Sequence, residues 1–409
     1  MNFEKMSETK VFRDPINGYV KVDYKIIYDL ICSKEFQRLK RIHQLGGTFQ
    51  VFPTAEHSRF SHSIGAYEIA RRIINEVPTI NSSLNEEEQL TLLIAALLHD
   101  VGHGPFSHAF EMINPIHHEE YTISIIKEDS EINDLLKSVD VDLPFKVISV
   151  IKKEHPQRLL NQLISSQVDA DRMDYLLRDS YFTGATYGYF DVERVLRVIR
   201  AQEGQIVFKE SGIPALENFM LGRYHMYKQV YHHSSSLSYE VILLKLFERF
   251  FELVDKNYVF KNDYKYILPL KNKSKLSNEE IYNLDESVIN FYAKLLAEEE
   301  DSILREFADR FTNRKLFAFY EVKTKDEVEY YHQKVKDFGY DDRYYFFSDR
   351  PKQIVYKKYG KNDLSNVMIL TKDNKVVEIS KISSVVKSLS SDRVSEDSDY
   401  IVLIPKEIK

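Results

Sequence analysis

The sequence has few of the residues that mark secreted or membrane proteins. It contains one cysteine in 409 residues and no tryptophan. A single cysteine excludes an internal disulfide and fits a reducing compartment. The longest strictly apolar stretch, residues 92–98, is far too short to span a bilayer, and the first residues show no apolar signal run. We therefore expect a cytoplasmic protein without a membrane span.

An excess of positive charge is also missing. The chain has 56 basic and 63 acidic residues, a formal net charge of −7. This balance argues against a protein that binds nucleic acid through bulk charge, although a polyphosphate pocket needs only a local basic cluster. The length predicts about two to three domains.

The most informative segment is HDVGHGPFSH at residues 99–108, which follows an apolar stretch. Residues 90–98 are apolar except for Thr91, and such a run predicts a helix that is buried on all sides. It ends in the pair His99-Asp100. A buried carboxylate is costly unless it is paired or bound to a cation. Imidazole and carboxylate are both metal ligands, so a metal ion is the simplest explanation.

Two further ligand candidates lie on other predicted helices. His62 shares a helical face with apolar residues four, seven and eleven positions further on, so it points into a core. Asp171 shares a stripe with Tyr175 and Asp179. The predicted metal ligands are His62, His99, Asp100 and Asp171. Two imidazoles and two carboxylates suit a divalent ion with open positions, with Mg, Mn, Fe, Ni and Zn all possible; the alternative is a set of hydrogen-bonded core residues.

Six ordered motifs resemble one known family. They are DPING at 14–18, FQRL at 36–39, QLGG at 44–47, VFP at 51–53, RFSHS at 59–63 and HDVGHGPFSH at 99–108. Together they resemble the HD-domain deoxynucleoside triphosphate (dNTP) triphosphohydrolases, in particular the mammalian enzyme whose HD domain follows a sterile-alpha-motif domain, and its bacterial homologues. The resemblance runs from about Lys10 to about Ser236. We see no preceding sterile-alpha-motif domain, which fits a bacterial form.

The expected fold is mainly α, with an HD-domain helical core and a small α+β C-terminal region. Residues 1–22 are predicted to be extended, with a hairpin turn at Asn17-Gly18. Helical periodicity dominates from about Tyr24 to about Phe260, so the core is placed at 23–265 and the C-terminal region at 266–409. That region should contain a helix at 325–337 and strands at 316–322, 344–347, 367–371, 375–379 and 400–404.

The resemblance implies catalytic residues in and after the HD loop. They are His103, His108, Glu111, His118 and Glu119. His108 would be the general acid that protonates the leaving 5′-oxygen, and Glu111 would orient it, where the family has Asp. His118-Glu119 resembles a second His–acid pair, although His117 could be the inward residue instead of His118.

The resemblance also implies substrate-binding residues. They are Gln44, Leu45, Arg59, Tyr175, Asp179, Arg223 and Tyr231. Arg59 lies three residues before His62, so its guanidinium can contact the α-phosphate as a forked donor.

Four of these residues would recognise the sugar, and one the terminal phosphate. Gln44 would hydrogen-bond the 3′-hydroxyl, and Tyr175 and Asp179 would lie beside the sugar. Tyr231 would pack where a ribose 2′-hydroxyl would clash, which would select deoxy substrates. Arg223 would hold the γ-phosphate.

Nucleotide activator sites between subunits are implied at two basic segments. The candidates are Lys10, Val11, Gln37 and Lys40, at the interfaces of a homotetramer. Cys32 stands where the mammalian enzyme has a base-reading Asp, and Lys40 where it has an Arg that can stack and fork. A GTP or dNTP activator would therefore be bound with a different base preference, or not bound at all. The alternative is that the basic run is a solvated helix face.

The implied activity is metal-dependent hydrolysis of a dNTP to a deoxynucleoside and inorganic triphosphate. One alternative is an HD phosphohydrolase that acts on nucleoside monophosphates or signalling nucleotides. Another is a nucleic-acid-binding regulator with an idle HD site. The sugar-reading residues favour dNTPs over the first alternative. The intact ligand set and the acidic net charge argue against the second, so nucleic acid is not an expected partner.

Overall fold

Helices make up most of the described chain. The computed structural model describes residues 3–350, 366–389 and 400–408, apart from the side chain of His108. The α-helices are α1 (Lys25–Cys32), α2 (Lys34–Arg38), α3 (Arg59–Glu76), α4 (Pro78–Asn81), α5 (Glu86–Leu98), α6 (His108–Ile113), α7 (His118–Lys127), α8 (Glu131–Val139), α9 (Leu143–Ile151), α10 (Arg158–Ile164), α11 (Ala170–Thr183), α12 (Val192–Val198), α13 (Ile213–Met226), α14 (Ser234–Asp255), α15 (Asn278–Tyr282), α16 (Glu286–Leu296), α17 (Ser302–Thr312), α18 (Lys325–Asp337), α19 (Asp342–Tyr345) and α20 (Ser384–Leu389).

Shorter elements complete the framework. The strands are β1 (Lys5–Asp14), β2 (Gly18–Tyr24), β3 (Ile199–Gln202), β4 (Gln205–Lys209), β5 (Ala318–Val322), β6 (Phe347–Asp349), β7 (Met368–Leu370), β8 (Val376–Glu378) and β9 (Tyr400–Ile404). The 3-10 helices are Leu39–Arg41, Gly46–Gln50, Thr186–Gly188, Glu210–Gly212, Leu268–Asn272 and Ile379–Lys381, and Tyr227–Tyr231 is a π-helix.

Helix α5 carries the His99-Asp100 pair into the core. Its first turn is fixed by a capping box, in which Asn85 and Glu88 exchange side-chain to backbone hydrogen bonds of 2.9 Å each. All residues from Leu90 to Leu98 are buried, and α5 packs against α3, α9 and α10. Within the described residues, no helix is both long and apolar enough to cross a lipid bilayer.

Helix α3 packs against both α5 and α11. A glycine permits the close approach to α11, because a Cβ on Gly65 would lie 1.9 Å from Asp174 Oδ1. Gly65 is three residues after His62 and Asp174 is three residues after Asp171. The packing therefore brings together the two helices that carry predicted ligands.

The strands form three small sheets, and the mainly α fold class is confirmed. Strands β1 and β2 form the predicted antiparallel hairpin. The order in the second sheet is β3-β4-β7-β8, with β4 parallel to β7, and in the third it is β5-β9-β6, all antiparallel. The second sheet pairs residues 205–209 with residues 368–370, so it crosses the boundary that we predicted at residue 265.

Two local predictions are wrong. Helical periodicity concealed the β3–β4 hairpin, whose turn has positive φ angles at Glu203 and Gly204. The first two residues of the strand predicted at 344–347 belong to helix α19, and β6 begins only at Phe347. The side chain of Asp341 caps α19 by accepting a hydrogen bond from Arg343 N, and this local cap outweighs the β preference of the aromatic residues.

We expect truncation of Leu97 to destabilise the whole protein. Leu97 is fully buried in α5, and Leu97→Ala should lower the free energy of unfolding by about 2–5 kcal/mol. Denaturant unfolding followed by circular dichroism measures the change. Val141→Ala, at a position that is 65% exposed, is the control and should change stability by less than about 0.5 kcal/mol. Equal effects of the two substitutions would contradict the central place of α5.

Candidate metal centre and active site

The four predicted metal ligands converge at the end of α5. His62 Nε2 lies 3.1 Å from Asp171 Oδ1 and 3.8 Å from Asp100 Oδ2. His99 Nε2 lies 3.5 Å from Asp100 Oδ1 and 3.6 Å from Asp171 Oδ1. Helix α3, the end of α5 and helix α11 each contribute to this cluster. His62, His99 and Asp100 also form a group with the spacing of metal ligands.

The orientation of both imidazoles fits a metal ion. His62 Nδ1 lies 2.9 Å from Asp174 Oδ2 and His99 Nδ1 lies 2.9 Å from the Ala96 carbonyl oxygen, so each Nδ1–H donates outward. Both Nε2 atoms are buried and make no hydrogen bond to any described residue. Both Nε2 atoms face the carboxylates of the site. A ring held through one nitrogen and open at the other is the usual arrangement of a metal-binding histidine.

The electrostatics of the cluster also favour a cation. Burial lowers the pKa of His62, but its contacts with Asp171 and Asp174 and their negative charges outweigh burial and raise this pKa to about 10. Burial raises the pKa of Asp171, whereas contacts with His62 and His99 bring it well below its usual range. A divalent ion held by these residues would take the place of the proton on His62, so the affinity for the ion would rise with pH.

Arg59 connects the ligand cluster to the neighbouring loops. Its Nη1 donates to Asp100 Oδ2, its Nε donates to Ser107 Oγ at 2.9 Å, and its Nη2 donates to the Gln44 carbonyl oxygen at 3.3 Å. The side chain is almost completely buried. One guanidinium therefore offsets the charge of Asp100 beside the position where the predicted α-phosphate would lie.

Three more predicted residues, His103, His118 and Glu111, follow one another by contact from Asp100. His103 Nε2 lies 3.5 Å from Asp100 Oδ1, and its ring stacks on His118 with 3.7 Å between centroids. His118 Nδ1 is 2.7 Å from Glu111 Oε1. Burial, together with the charges of Arg59 and His118, holds the pKa of His103 well below its usual range. His103 is therefore a neutral ring next to a metal-ligand carboxylate.

The structure distinguishes between the two neighbouring histidines. His118 is partly buried against His103, whereas His117 is exposed and caps α7 by accepting a hydrogen bond from Glu119 N. Glu119 is exposed, and the carboxylate paired with His118 is Glu111. The predicted partner of Glu111 was His108, whose side chain lies outside the described residues. The roles of His108, Glu111 and Glu119 stay predictions.

The FQRL motif acts on this loop through Arg38. The side chain of Arg38 is buried and donates to the carbonyl oxygens of Leu284 at 2.9 Å, Val101 at 3.4 Å and His103 at 2.7 Å. Burial lowers the pKa of Arg38 to about 10. A guanidinium with three carbonyl acceptors fixes the backbone of the loop that presents His103.

The same loop contains a strained backbone. Phe106 and Ser107 have φ angles of 60° and 53°, which are unfavourable for residues with a side chain. Contacts from outside hold them, because Phe106 N donates to Glu286 Oε1 at 3.0 Å and Ser107 Oγ donates to the His43 carbonyl oxygen at 3.1 Å. The loop is therefore held in a conformation that it would not adopt alone.

A cavity of about 440 Å³ lies next to this loop. Its lining contains most of the predicted substrate residues, together with several that the sequence analysis did not single out. The lining residues are Gln44, Leu45, Gly46, Thr48, Arg59, Phe106, Ser107, Tyr175, Asp179, Tyr227, Tyr231, His232, Leu237 and Glu240. Arg223 is not among them and instead donates to Gln167 Oε1 at 3.0 Å.

Asp179 is the best-defined polar group of the cavity. Its carboxylate accepts a hydrogen bond from the Tyr231 hydroxyl at 2.9 Å and contacts His57 Nε2 at 2.8 Å. The rings of Tyr231 and Tyr175 meet edge to face at 6.2 Å. Tyr231 belongs to the π-helix 227–231, whose extra residue shifts the register of α13, and such bulges often occur at functional sites.

The predicted activator residues lie on the N-terminal elements. Lys10 and Val11 are on β1, where Val11 is exposed, and Gln37 Nε2 donates to the Ile31 carbonyl oxygen at 2.6 Å. Lys40 Nζ lies 4.5 Å from the centre of the Phe60 ring. Their role in nucleotide binding stays a prediction.

Sequence reasoning missed the residues that support the ligands from behind. Asp174 and Arg178 follow Asp171 at helical spacing on α11, and that spacing was a usable signal. His57 lies two residues before the RFSHS motif, and nothing in the local pattern indicates its contact with Asp179, which is 122 residues away.

Known protein families and solved structures match the part of the chain that contains this site. The HD-domain family matches residues 59–179, and a family described as the HD-associated region matches residues 190–343. A solved phosphohydrolase from Bacteroides thetaiotaomicron superposes with a TM-score of 0.85 at 27% identity, covering 98% of this chain and 100% of that one. An uncharacterised protein of Bacillus subtilis is 43% identical over 99% of this chain and 94% of its own length.

The fold and the ligand cluster define an HD-domain phosphohydrolase, a class of divalent-metal hydrolases. The chain belongs to this family, and it is similar to proteins named as dNTP triphosphohydrolases. The Dictyostelium discoideum homologue of SAMHD1, a dNTP triphosphohydrolase, is 32% identical over 62% of this chain and 52% of its own length. The chicken SAMHD1 is 26% identical over 59% of this chain, which covers 45% of that protein.

We expect Asp171→Asn to weaken binding of a divalent metal at least about tenfold, because the charge of a ligand is lost. Isothermal titration calorimetry with Mn²⁺ measures the affinity. Asp191→Asn, at the exposed start of α12, is the matched control and should bind Mn²⁺ as the unmodified protein does. An unchanged affinity in a folded Asp171→Asn protein would remove Asp171 from the ligand set.

Alkaline pH should destabilise the loop through His43. Burial lowers the pKa of His43, but hydrogen bonds to Glu286 and Glu56 and their charges raise it to about 9. A raised pKa stabilises the fold fully below the unfolded value of about 6.5, and this stabilisation is lost as the pH rises through about 9.

The measurement is the melting temperature between pH 6.5 and 9, in the absence of added metal. It should fall further for the unmodified protein than for His43→Gln, which cannot titrate there. Parallel pH profiles of the two proteins would contradict a stabilising charge on His43.

Proposed function

We propose that the protein is a metal-dependent dNTP triphosphohydrolase that releases a deoxynucleoside and inorganic triphosphate. One observation carries the proposal: Arg59 both contacts the metal-ligand carboxylate Asp100 and lines the cavity that contains Gln44, Tyr175, Asp179 and Tyr231. A substrate whose sugar occupies this cavity would place its first phosphate beside the ligand cluster.

The ligand cluster and its surroundings supply the chemistry of phosphoester hydrolysis. His62, His99, Asp100 and Asp171 would hold a divalent ion, which lowers the pKa of a bound water and neutralises phosphate charge. Arg59 would donate a forked pair of hydrogen bonds to the α-phosphate.

The leaving group needs a proton, because an alkoxide is a poor leaving group. We assign this step to His108, at the start of α6 and eight residues after Asp100. His103 contacts Asp100 and stacks on His118, which pairs with Glu111 of α6, so these three residues would form the proton network around this step. Glu119 is exposed, so it would contribute only indirectly, as a residue of the first turn of α7.

The deoxyribose would be read by groups whose positions are already fixed. Asp179 is held between His57 and Tyr231, so its carboxylate is available as an acceptor for a sugar hydroxyl. The buried Gln44 Oε1 makes no hydrogen bond to a described residue, and burial without a partner favours a ligand donor. The Tyr231 ring would exclude a 2′-hydroxyl, with Leu45 as an apolar wall. Arg223 would reach the γ-phosphate only by leaving Gln167.

Nucleotide regulation in a homotetramer is part of this proposal, with GTP or a dNTP as the activator. Lys10, Val11, Gln37 and Lys40 remain the candidate contacts. Another cavity, of about 350 Å³, is lined by Arg194, Arg197, Arg200 and Lys209 together with Glu76 and Glu193. Its basic side chains outnumber its acidic ones, and arginine and lysine are the residues that bind phosphate groups, so this cavity is compatible with an anionic nucleotide.

The alternatives make different demands on the site. A nucleoside monophosphatase needs no group for distal phosphates, so Arg223 would be idle. A nucleic-acid-binding regulator needs neither a set of buried imidazoles and carboxylates with the spacing of metal ligands nor a cavity beside them. The ligand cluster therefore favours an enzyme.

The first test is product analysis by anion exchange. Purified protein loaded with Mn²⁺ is incubated with a mixture of the four dNTPs and, separately, with a matching NTP mixture. We expect deoxynucleosides and intact triphosphate from the dNTPs only. Asp100→Ala should abolish turnover, whereas the exposed control Asp191→Asn should not change it.

Other outcomes point elsewhere. Release of orthophosphate or pyrophosphate would contradict attack at the α-phosphorus, and equal turnover of the NTP mixture would contradict the role of Tyr231. If the dNTP mixture gives no turnover with or without GTP, the proposed activity is wrong.

A further inference from the structure

We infer that the N-terminal hairpin turn is part of the metal centre, because Asp14 and Asn17 position the ligand His62 through Arg178 and Asp174. This inference rests on the metal dependence in the proposed function. It assigns positioning roles to residues in the turn between β1 and β2, far from the ligands in the sequence.

A buried carboxylate lies behind the ring of His62. Asp174 Oδ2 lies 2.9 Å from His62 Nδ1, on the side of the ring opposite Nε2. Both side chains are fully buried. A carboxylate in this place fixes the tautomer and the orientation of the ring and raises its basicity as a ligand. Asp174 therefore determines which nitrogen of His62 faces the ion.

The guanidinium of Arg178 holds Asp174. Arg178 Nε donates to Asp174 Oδ2 at 2.8 Å and Nη2 donates to Asp174 Oδ1 at 2.9 Å, a forked pair one helical turn apart. Arg178 is fully buried as well. The two hydrogen bonds from Arg178 hold the carboxylate of Asp174 in the plane of the guanidinium. They do not use Nη1 of Arg178, which can donate to a second acceptor.

The hairpin completes this network. Asp14 closes the fork, because Arg178 Nη1 donates to Asp14 Oδ2 at 2.8 Å and Nη2 donates to Asp14 Oδ1 at 3.2 Å. Asn17 Nδ2 donates to Asp174 Oδ1 at 3.0 Å. The turn is itself ordered by Asp14 Oδ1, which accepts hydrogen bonds from Ile16 N and Asn17 N.

Helix α3 packs directly against this network. A Cβ on Gly65 would lie 1.9 Å from Asp174 Oδ1 and 2.3 Å from Arg178 Nη2, so α3 covers the fork directly. Two carboxylates and one guanidinium leave one negative charge behind His62. That charge stabilises a divalent ion on the other side of the ring.

The decisive substitution is Asp14→Asn. An amide can still accept the backbone hydrogen bonds of the turn, but its NH₂ meets the donors of Arg178 and removes the charge pair. We expect the affinity for Co²⁺ and Mn²⁺, measured by calorimetry, to fall about tenfold, as is usual for supporting groups behind a metal ligand. We also expect the visible absorption of bound Co²⁺ to change, because the ring of His62 is no longer fixed.

A matched control lies on the same hairpin. Asp23 is on β2 and accepts a hydrogen bond from Thr9 Oγ1 at 2.6 Å, without contact to the fork. Asp23→Asn should leave metal affinity and the Co²⁺ spectrum unchanged. Asn17→Ala removes one contact to Asp174 but no charge, so it should give a smaller loss than Asp14→Asn, and it stands in if Asp14→Asn does not fold.

The outcomes separate this inference from the proposed function. If the unmodified protein binds neither Co²⁺ nor Mn²⁺, the metal-dependent function itself is wrong. If it binds them and folded Asp14→Asn and Asn17→Ala bind equally well with the same spectrum, only the role of the hairpin is overturned. An equal loss in Asp23→Asn would overturn it too, since the effect would then belong to hairpin stability.

Discussion

The burial of ionised side chains at the end of an apolar helix is the constraint on which this structure depends. Helix α5 is buried from Leu90 to Leu98, so Asp100 leaves it inside the protein with little water around it. Its charge must be offset locally. Arg59, the two imidazoles and a bound divalent ion are the available means, and each of them needs its own support from the surrounding layers.

That requirement explains how far sequence reasoning could go. The candidate ligands could be picked out from the sequence because His62, His99 and Asp171 lie in apolar helical patterns, where a polar residue stands out. Asp14 was not, because its partner Arg178 is 164 residues away and only the folded chain brings them together. Asp174 is an intermediate case. Its helical spacing from Asp171 is visible in the local sequence, whereas its contact with His62 is not, because 112 residues separate the two.

The fold shows the same division. The hairpin β1–β2 and helix α18 were predicted because Asn17-Gly18 and the periodicity of residues 325–337 are local signals. The pairing of β4 with β7 was not predictable, because it joins segments about 160 residues apart in the sequence. The π-helix that places Tyr231 at Asp179 was also hidden, since one extra residue in a helical turn leaves the apolar pattern almost unchanged.

The contacts of Arg38 set a limit on how this chain can be divided. Its guanidinium is buried and donates to Leu284 O, and Glu286 accepts from Phe106 N on the HD loop. A fragment cut to the matched HD domain, residues 59–179, would lack both Arg38 and Glu286. A fragment that keeps these contacts and the pairing of Asp14 with Arg178 would have to extend at least from Asp14 to Glu286, so a transfer of this HD domain to another scaffold would have to include both flanking segments.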